Sequence, residues 1–408
     1  MEIEGQTIGP ARDAVQCSMS VSDSAPFLAP ITLLQTAKLV FGCGCLDGCA
    51  ADLRLGGLKR SLILTPPIAG LANPLLDALR SGGSAALVID SLAGEPTIES
   101  FEEILEQARG FQPDCVIGLG GGSALDVAKL VAALWNGDQG VREVFGIGLL
   151  KGRRTRLVCL PTTSGTGSEV SPNAILLDTA ENLKKGVVSP HLVPDAAYVD
   201  PLLTVSMPPA VTAATGLDAL THCIEAYTNR FAHPVVDLYA IEGIRLAGAW
   251  LARAVRNGSD IQARERMALA SVFGGLCLGP VNTAAVHALA YPLGGEFHVA
   301  HGVSNAVLLP HVMEYSLPGA EERYAAVAEA LGIACRADTA TTARLGVKRV
   351  RQLCAECGIP MGLKRHGIRE DAIPRLADAA MKVTRLLKNN PRAVTREAAE
   401  AIYRAAYD

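Results

Sequence analysis

Residues 116–129 read VIGLGGGSALDVAK, an apolar run that passes through three glycines into a helical pattern. The run DCVIGLG (114–120) is typical of a buried strand. Glycines at a strand-to-helix junction let the backbone approach a phosphate, and the free N–H groups of the helix start can bind it. A glycine-rich turn without a ligand explains this stretch alone equally well. Its spacing is not the G-x-G-x-x-G of an ordinary dinucleotide fingerprint.

The first half of the chain repeats this alternation of strand and helix. Short apolar runs occur at RSLILT (60–65), AALVID (85–90) and RLVCLP (156–161). Helical patterns lie at LANPLLDALRSGG (71–83) and SFEEILEQARGF (100–111). Strands that alternate with helices predict a parallel sheet with helices on both faces.

Strand-like runs become scarce in the second half, where amphipathic helical stretches dominate, as at 235–256, 263–278 and 395–407. The sequence therefore predicts an α/β domain over residues 1–208 and an all-α domain over 209–408. Residues 1–25 are predicted to be a loosely held arm of the first domain.

Composition narrows the class of protein. The net charge of −4 over 408 residues, without a polybasic stripe, argues against a nucleic-acid partner or an anionic membrane. No apolar run reaches the roughly 18–20 residues that span a bilayer, and the N-terminus lacks the apolar core of a signal peptide. Eleven cysteines, an odd number in a large chain, favour free thiols and a cytoplasmic protein. The cluster Cys43, Cys45, Cys49 and the pair Cys354, Cys357 are predicted to be buried or incidental thiols.

A second loop resembles the first in its position. The stretch CLPTTSGTGSEVSPNA (159–174) ends a predicted strand in hydroxyls and glycines. Hydroxyls and backbone amides suit phosphate and ribose oxygens. Two such loops at the carboxyl ends of successive parallel strands predict a nucleotide cleft, because open α/β sheets bind ligands at that edge.

Two further stretches contain groups that bind metals. GLDALTHCIEAY (216–227) places Asp218 and His222 four residues apart, on one face of a helix. His287 lies on a helical pattern that Pro292 is expected to close, and His301 follows a glycine turn. One carboxylate and three imidazoles suit a divalent ion such as Fe²⁺, Zn²⁺ or Mn²⁺.

The alternative is a set of histidines that are satisfied independently by hydrogen bonds. The other histidines are predicted to be surface or loop residues: His191, His233, His298, His311 and His366.

Taken together, these stretches resemble the iron-containing (group III) alcohol dehydrogenases. The similar motifs are FGCGCL, GGGSALDVAK, PTTSGTGSEVS, DAAYVDP, GLDALTHCIEAY, HALAYPLGGEFHVAHGVSNAVLLPHV and NNPRAVT. They follow the family's order from about residue 30 to the C-terminus. The resemblance implies an N-terminal α/β dinucleotide-binding domain and a helical metal and substrate domain, a fold shared with dehydroquinate synthases and glycerol dehydrogenases.

The resemblance also implies residue roles. The expected metal ligands are Asp218, His222, His287 and His301. The expected cofactor-binding residues are Thr65, Gly120, Gly121, Gly122, Ser123, Thr162, Thr166, Ser171 and Lys185. Within the Lys184–Lys185 pair the register stays open by one residue.

The activity implied is a metal-dependent, NAD(P)-linked interconversion of a small alcohol, or a hydroxy acid, and its aldehyde, ketone or oxo acid. The metal would act as a Lewis acid on the carbonyl oxygen while hydride moves to or from the nicotinamide. Fe²⁺ is expected, with Zn²⁺ or Mn²⁺ as alternatives, together with NAD(H), or NADP(H) instead. A homo-oligomer, dimeric or larger, is also expected.

Two positions depart from the family pattern. Tyr291 stands where many relatives carry a histidine, four residues after His287; it either donates a hydrogen bond to the substrate oxygen or only shapes the pocket. Pro66 stands where NAD-preferring relatives often place an acid, which would bind the ribose hydroxyls and repel a 2′-phosphate. Strict use of NAD is therefore not expected.

Two other functions are compatible with the same fold. A lyase of the dehydroquinate synthase type would need Lys and Arg around the metal to bind a phosphorylated substrate, and these motifs lack such a cluster. A non-catalytic nucleotide-binding protein is disfavoured because all four expected ligands are present.

Overall fold

The computed structural model describes residues 28–92, 94–334 and 338–408, so the predicted arm over residues 1–25 lies outside the described residues. Thr32–Asp408 form one compact unit. Its strands are β1 (Lys38–Phe41), β2 (Arg60–Leu64), β3 (Ala85–Ile89), β4 (Cys115–Gly120), β5 (Gly146–Ile147), β6 (Arg156–Pro161), β7 (Asn173–Asp178), β8 (Leu183–Val188) and β9 (Ala196–Val199).

Helices occupy two regions of the chain. Those among the strands are α1 (Cys45–Leu55), α2 (Asn73–Ser81), α3 (Ile98–Phe111) and α4 (Gly122–Leu134). Those that follow are α5 (Pro209–Tyr227), α6 (Pro234–Arg256), α7 (Ile261–Leu278), α8 (Ala285–Phe297), α9 (His301–Ser316), α10 (Glu321–Ala330), α11 (Thr339–Glu356), α12 (Ile373–Met381), α13 (Thr384–Leu387) and α14 (Arg396–Ala405).

Six strands form a parallel sheet in the order β1-β9-β6-β4-β2-β3. Successive residues of β2 pack on opposite faces, since Leu62 and Leu64 join a core with α3 and α4, whereas Ile63 packs with residues of α1 and α2. Because both faces of the sheet are apolar, helices cover both of them. The predicted α/β fold is confirmed.

A smaller sheet, β5-β8-β7, was not predicted from the sequence. Strands β7 and β8 pair antiparallel, with Asn173 opposite Val188 and Leu176 opposite Lys185. Polar residues interrupt β8 (LKKGVV), so that it shows neither clean alternation nor an apolar run. The sheet matters because β8 carries Lys184 to the edge of the site described below.

From residue 209 onward the described residues contain helices and no strand, as predicted for this half. Pro292 does not close α8 but lies inside it, although an internal proline removes one helical hydrogen bond and costs about 3 kcal/mol. The stretch from Ala285 to Gly295 is buried throughout, so packing outweighs that cost. The Tyr403 hydroxyl also donates a hydrogen bond, 2.7 Å long, to the carbonyl of Leu289 in the same region of α8.

The turn between α8 and α9 also differs from its prediction. Its left-handed residue is His298 (φ 54°), whereas Gly294 and Gly295 lie within α8. His311 was predicted to lie on the surface or in a loop, but it is partly buried within α9, and burial lowers its pKa to about 4. The helical stretch simply extends further than the glycines and prolines of the sequence indicate.

The cysteines that the structure describes are free thiols. Most are buried, and burial raises the pKa of Cys223 and of Cys354 to about 12, so these thiols stay protonated. Cys43 is exposed, and Cys45 is partly so. Among the described residues, no helix has both the length and the apolar character required to cross a membrane.

Candidate active site

Three helices bring the four predicted metal ligands together. Asp218 and His222 lie on consecutive turns of α5, His287 lies on α8, and His301 is the first residue of α9. The Asp218 Oδ1 atom is 3.7 Å from the Nε2 atom of His222, 3.5 Å from that of His287 and 3.6 Å from that of His301. The ligand atoms of Asp218, His222 and His287 lie within 4.8 Å of one another, and His301 adjoins them through its contact with Asp218.

The spacing of these atoms fits a bound divalent ion. Four ligands at about 2.0–2.2 Å from a tetrahedral ion lie about 3.3–3.6 Å from one another. Burial alone would raise the pKa of Asp218, but the neighbouring imidazoles of His222, His301 and His287 outweigh it and hold the pKa far below its usual range. Asp218 is thus an ionised carboxylate among nitrogen donors, a set that suits iron, zinc or manganese.

Glu225, which was not singled out in the sequence, fixes the orientation of His287. Its Oε2 atom lies 2.5 Å from His287 Nδ1, and its Oε1 accepts a hydrogen bond from the backbone N–H of Val286 at 2.6 Å. Burial lowers the pKa of His287, but Glu225 and Asp218 more than offset it and raise that pKa to about 9. With Nδ1 directed at Glu225, the Nε2 atom faces Asp218, as a metal-binding histidine requires.

Asn305, one turn after His301 on α9, completes this cluster. Its amide Nδ2 donates a hydrogen bond to Asp218 Oδ1 at 2.8 Å, and it lies 3.1 Å from His287 Nε2 and 3.3 Å from His301 Nε2. The Asn305 amide thus lies against three of the four predicted ligands, and its one assigned acceptor is the Asp218 carboxylate. Asn305 therefore helps to hold Asp218 in position within the cluster.

The two predicted phosphate loops touch each other beside this cluster. Helix α4 begins at Gly122, where a Cβ atom would lie 2.5 Å from Cγ2 of Thr166. The backbone N–H of Thr162 donates a 2.9 Å hydrogen bond to the carbonyl of Gly120. A side chain at residue 122 would therefore fill the space between the two loops. Glycine leaves that space open, so that a ligand such as a phosphate group can approach the protein backbone.

One cavity joins these loops to the metal ligands. Its lining includes Gly122, Ser123, Thr166 and Ser171 from the loops, and Asp218, His222, His287 and His301 from the helices. The glycine-rich start of α4 and the cluster of ligand atoms therefore face the same space. A dinucleotide and a metal-bound substrate could meet there.

The second loop is held by a close approach of two main chains. Gly167 has a left-handed φ of 60°, and a Cβ atom there would lie 2.3 Å from Cα of Gly275 on α7. A Cβ atom on Gly275 would in turn lie 2.4 Å from the carbonyl oxygen of Gly167. Both positions therefore require glycine, and the loop is fixed directly against the helical half.

Buried charges hold the remainder of the second loop. Lys129 Nζ donates hydrogen bonds to the carbonyls of Ser171 (2.9 Å) and Asn173 (2.8 Å). Asp126 accepts hydrogen bonds from the Ser168 hydroxyl (2.5 Å) and from the backbone N–H of Ile175 (2.9 Å). Both charged residues belong to α4, so the first loop and the second move as one body.

The other predicted cofactor residues lie in different places. Thr65 is buried at the end of β2. The adjoining Pro66 packs closely on Gly120, since a Cβ atom on Gly120 would lie 2.8 Å from Cδ of Pro66. Lys185 instead pairs with Asp178 and Glu181, each at 2.8 Å, and is not among the residues that line the cavity. Of the two lysines, Lys184 lines it.

Tyr291 lies on the metal side of the cavity. It is 7% exposed, and its ring centroid is 6.2 Å from that of His301. Burial raises the pKa of Tyr291, and the neighbouring Arg385 guanidinium only partly offsets this, so the phenol is a neutral hydrogen-bond donor at neutral pH. Arg385, which was not predicted from the sequence, lines the same cavity.

Comparisons with known proteins agree with this arrangement. Residues 36–201 match the family model described as iron-containing alcohol dehydrogenase, and residues 212–407 match that of the Fe-containing alcohol dehydrogenase family, C-terminal. The chain is 41% identical, over 92% of its length and 98% of the relative's, to long-chain-alcohol dehydrogenase 1 of Geobacillus thermodenitrificans (strain NG80-2).

Two further similarities cover nearly the whole chain. It is 33% identical to the sulfoacetaldehyde reductase of Bilophila wadsworthia (strain 3_1_6), over 91% of its own length and 97% of the relative's. Among solved structures, the alcohol dehydrogenase from Oenococcus oeni superposes with a TM-score of 0.89 at 31% identity, and the match covers 93% of this chain and all of that one.

Proposed function

The chain belongs to the iron-containing alcohol dehydrogenase family, and from that membership we propose how its own residues divide the work of an alcohol-oxidising and aldehyde-reducing enzyme. The predicted family, fold class and metal-dependent, nicotinamide-linked oxidoreductase activity on alcohols are confirmed. We assign the metal to Asp218, His222, His287 and His301. We assign the dinucleotide pyrophosphate to the loop at 120–123.

One observation carries the assignment. A single carboxylate oxygen, Asp218 Oδ1, lies within 3.7 Å of three imidazole Nε2 atoms in the cavity that also contains the glycine-rich start of α4. Independent histidines satisfied by separate hydrogen bonds would have no reason to direct the same ring atom at one oxygen. The convergence, together with the adjoining loop, supports a metal centre beside a dinucleotide.

When bound, the metal polarises a carbonyl oxygen and the nicotinamide supplies the hydride that forms the new C–H bond. The protein supplies position and polarity. Glu225 holds His287 in the tautomer that binds metal, and the free N–H groups at the start of α4 face phosphate. Tyr291 donates a hydrogen bond to the substrate oxygen as charge develops there. The buried lining limits water, which strengthens these interactions.

For the dinucleotide, Thr162, Thr166 and Ser171 supply hydroxyls along the second loop, and Thr65 supplies one at the end of β2. The lysine of this set is Lys184, because it lines the cavity while Lys185 is paired elsewhere. We further propose a division of the chain near residues 208 and 209, a homo-oligomeric assembly and a cytoplasmic location. The gap between the two family matches, at 202–211, supports the division.

Small neutral alcohols and aldehydes are the first substrates to test. The enzyme, loaded with Fe²⁺ and assayed with a series of short aldehydes, should oxidise NADH, lose activity with a chelator and regain it when Fe²⁺ is restored. The neutral Thr65–Pro66 end of β2 does not repel a 2′-phosphate. We therefore expect kcat/KM with NADH to exceed that with NADPH by no more than about tenfold, or about 1.4 kcal/mol.

The variant Pro66→Asp supplies a matched test of that preference, because it restores an acid beside the ribose. It should raise the ratio of kcat/KM for NADH over NADPH by at least about tenfold. A thousandfold preference for NADH in the unmodified enzyme would mean that another residue excludes the phosphate. Activity that survives complete removal of metal would contradict the proposed metal centre.

Replacing Tyr291 with phenylalanine should lower kcat by about tenfold to a hundredfold, or about 1.4–2.7 kcal/mol of barrier. The phenol's hydrogen bond strengthens as the substrate oxygen gains charge, so its loss affects kcat more than KM. Metal content should not change, since the four ligands remain. The measurement is steady-state kinetics with a deuterated hydride donor, to verify that hydride transfer limits the rate. An unchanged kcat under those conditions would make Tyr291 only a wall of the pocket.

A further inference from the structure

The charged residues that line the cavity differ in whether a residue of opposite charge pairs with them. They are Glu95, Asp126, Lys184, Asp218 and Arg385, apart from the histidines. Lys184 Nζ lies 2.5 Å from a carboxylate oxygen of Glu95. Burial raises the pKa of Asp126, and the charge of the neighbouring, buried Lys129 offsets this only in part. Asp218 is surrounded by the imidazoles and belongs to the metal cluster.

Arg385 is the exception among these residues. Within residues 28–92, 94–334 and 338–408, no carboxylate forms an ion pair with its guanidinium. Its guanidinium contacts the Tyr291 phenol, and its Nη2 atom lies 3.5 Å from where a Cβ atom on Gly186 of β8 would be. Arg385 is only partly exposed, so its charge lacks full hydration as well as a protein partner. A partly exposed guanidinium without a carboxylate partner is free to bind an anionic group of a ligand.

The position of Arg385 relates it to the substrate. It lies in α13, which packs on α8, the helix that also carries His287 and Tyr291. Tyr291 is in contact with Arg385 and is also close to the ring of His301. Tyr291 thus lies between the metal cluster and the guanidinium along the wall of the same cavity.

We propose that Arg385 binds a negatively charged group of the substrate, so that the enzyme prefers short aldehydes or alcohols that bear an acid group at the far end. The inference rests on the proposed function, because it assigns the substrate of that same site. The guanidinium presents a planar pair of donors that suits a carboxylate or a sulfonate. The acid group is unchanged in the reaction, in which only the carbonyl carbon and oxygen gain hydride and a proton.

The test compares an acid with its neutral amide on the Fe²⁺-loaded enzyme. Succinic semialdehyde and 4-oxobutanamide have nearly the same shape but differ in charge. With NADH, kcat/KM should be at least tenfold higher for the acid. Arg385→Gln should lower kcat/KM for the acid by about tenfold to a hundredfold and change that for the amide by less than threefold. Lys388→Gln, which removes an exposed positive charge three residues away, should change neither.

Three outcomes would overturn the inference. They are equal kcat/KM for acid and amide in the unmodified enzyme, equal losses for both in Arg385→Gln, and a weakened dissociation constant for NADH in that variant. The last result would assign Arg385 to a phosphate of the cofactor instead of the substrate.

A binding measurement separates this inference from the proposed function. Calorimetry with 4-hydroxybutyrate and 4-hydroxybutanamide needs no turnover. If the loaded enzyme reduces no aldehyde, acid or neutral, the proposed function fails. Arg385 still binds the acid group if the affinity for 4-hydroxybutyrate alone falls in Arg385→Gln, and the inference fails if it does not fall.

Discussion

His301→Ala should leave a folded protein that binds NADH but has lost most of its metal. The residue begins α9, and alanine preserves the helix, so the fold does not depend on the imidazole. One of four ligand atoms is removed, and the Fe²⁺ dissociation constant should rise by more than about a hundredfold, since even the loss of an outer partner costs about tenfold to a hundredfold. We expect turnover to fall at least a thousandfold at limiting metal. Metal analysis after dialysis, with chelator competition, measures the first effect.

The control for this variant is His298→Asn, three residues earlier. His298 is exposed and adopts a left-handed conformation that asparagine tolerates. It should retain the metal content and activity of the unmodified enzyme. Full metal occupancy and full activity in His301→Ala would show that the ligand set is wrong.

The second large effect is expected from Glu225→Gln. The carboxylate lies 2.5 Å from Nδ1 of His287, and its other oxygen accepts a backbone hydrogen bond. The glutamine amide has one acceptor oxygen and one NH2 group, so the NH2 group would face either the backbone N–H of Val286 or Nδ1 of His287. His287 would then lose both its orientation and an adjacent negative charge. We expect the Fe²⁺ dissociation constant to rise by about tenfold to a hundredfold. Competition with a chelator at constant pH gives that value without reference to turnover.

Glu225→Asp distinguishes charge from reach in the same experiment. It retains the carboxylate but shortens the side chain by one methylene, so metal affinity should lie between those of the unmodified protein and Glu225→Gln. Thermal unfolding of the metal-free proteins controls for a general loss of stability. If Glu225→Gln lowered the melting temperature but bound Fe²⁺ normally, Glu225 would be only part of the helical core.

The sequence predicted those features that depend on local pattern. Buried strands such as RSLILT and DCVIGLG are apolar and bounded by turn residues, and the structure contains β2 and β4 there. Asp218 and His222 could be paired because a helix places residues four apart on one face. Glu225, seven residues after Asp218 and three after His222, lies one turn further along the same face of α5.

Other features depend on contacts between distant segments. Arg385 is about a hundred residues from Tyr291 in the chain, and an isolated arginine in RLLKNNPR carries no sign that it lines a cavity. Which of Lys184 and Lys185 lines the cavity depends on β8, because successive residues of a strand face opposite sides. Pro292 lies inside α8, contrary to the prediction, because packing around this buried helix outweighs the local cost of the proline.

The close approach of Gly167 and Gly275 limits how these two positions can evolve. In a pair of packed side chains, enlargement of one can be offset by reduction of the other. Here a side chain at either position would collide with main-chain atoms of the other, and a glycine has no side chain that could be made smaller. The two glycines cannot compensate for each other, and no exchange of sizes between them is open to drift or to protein engineering.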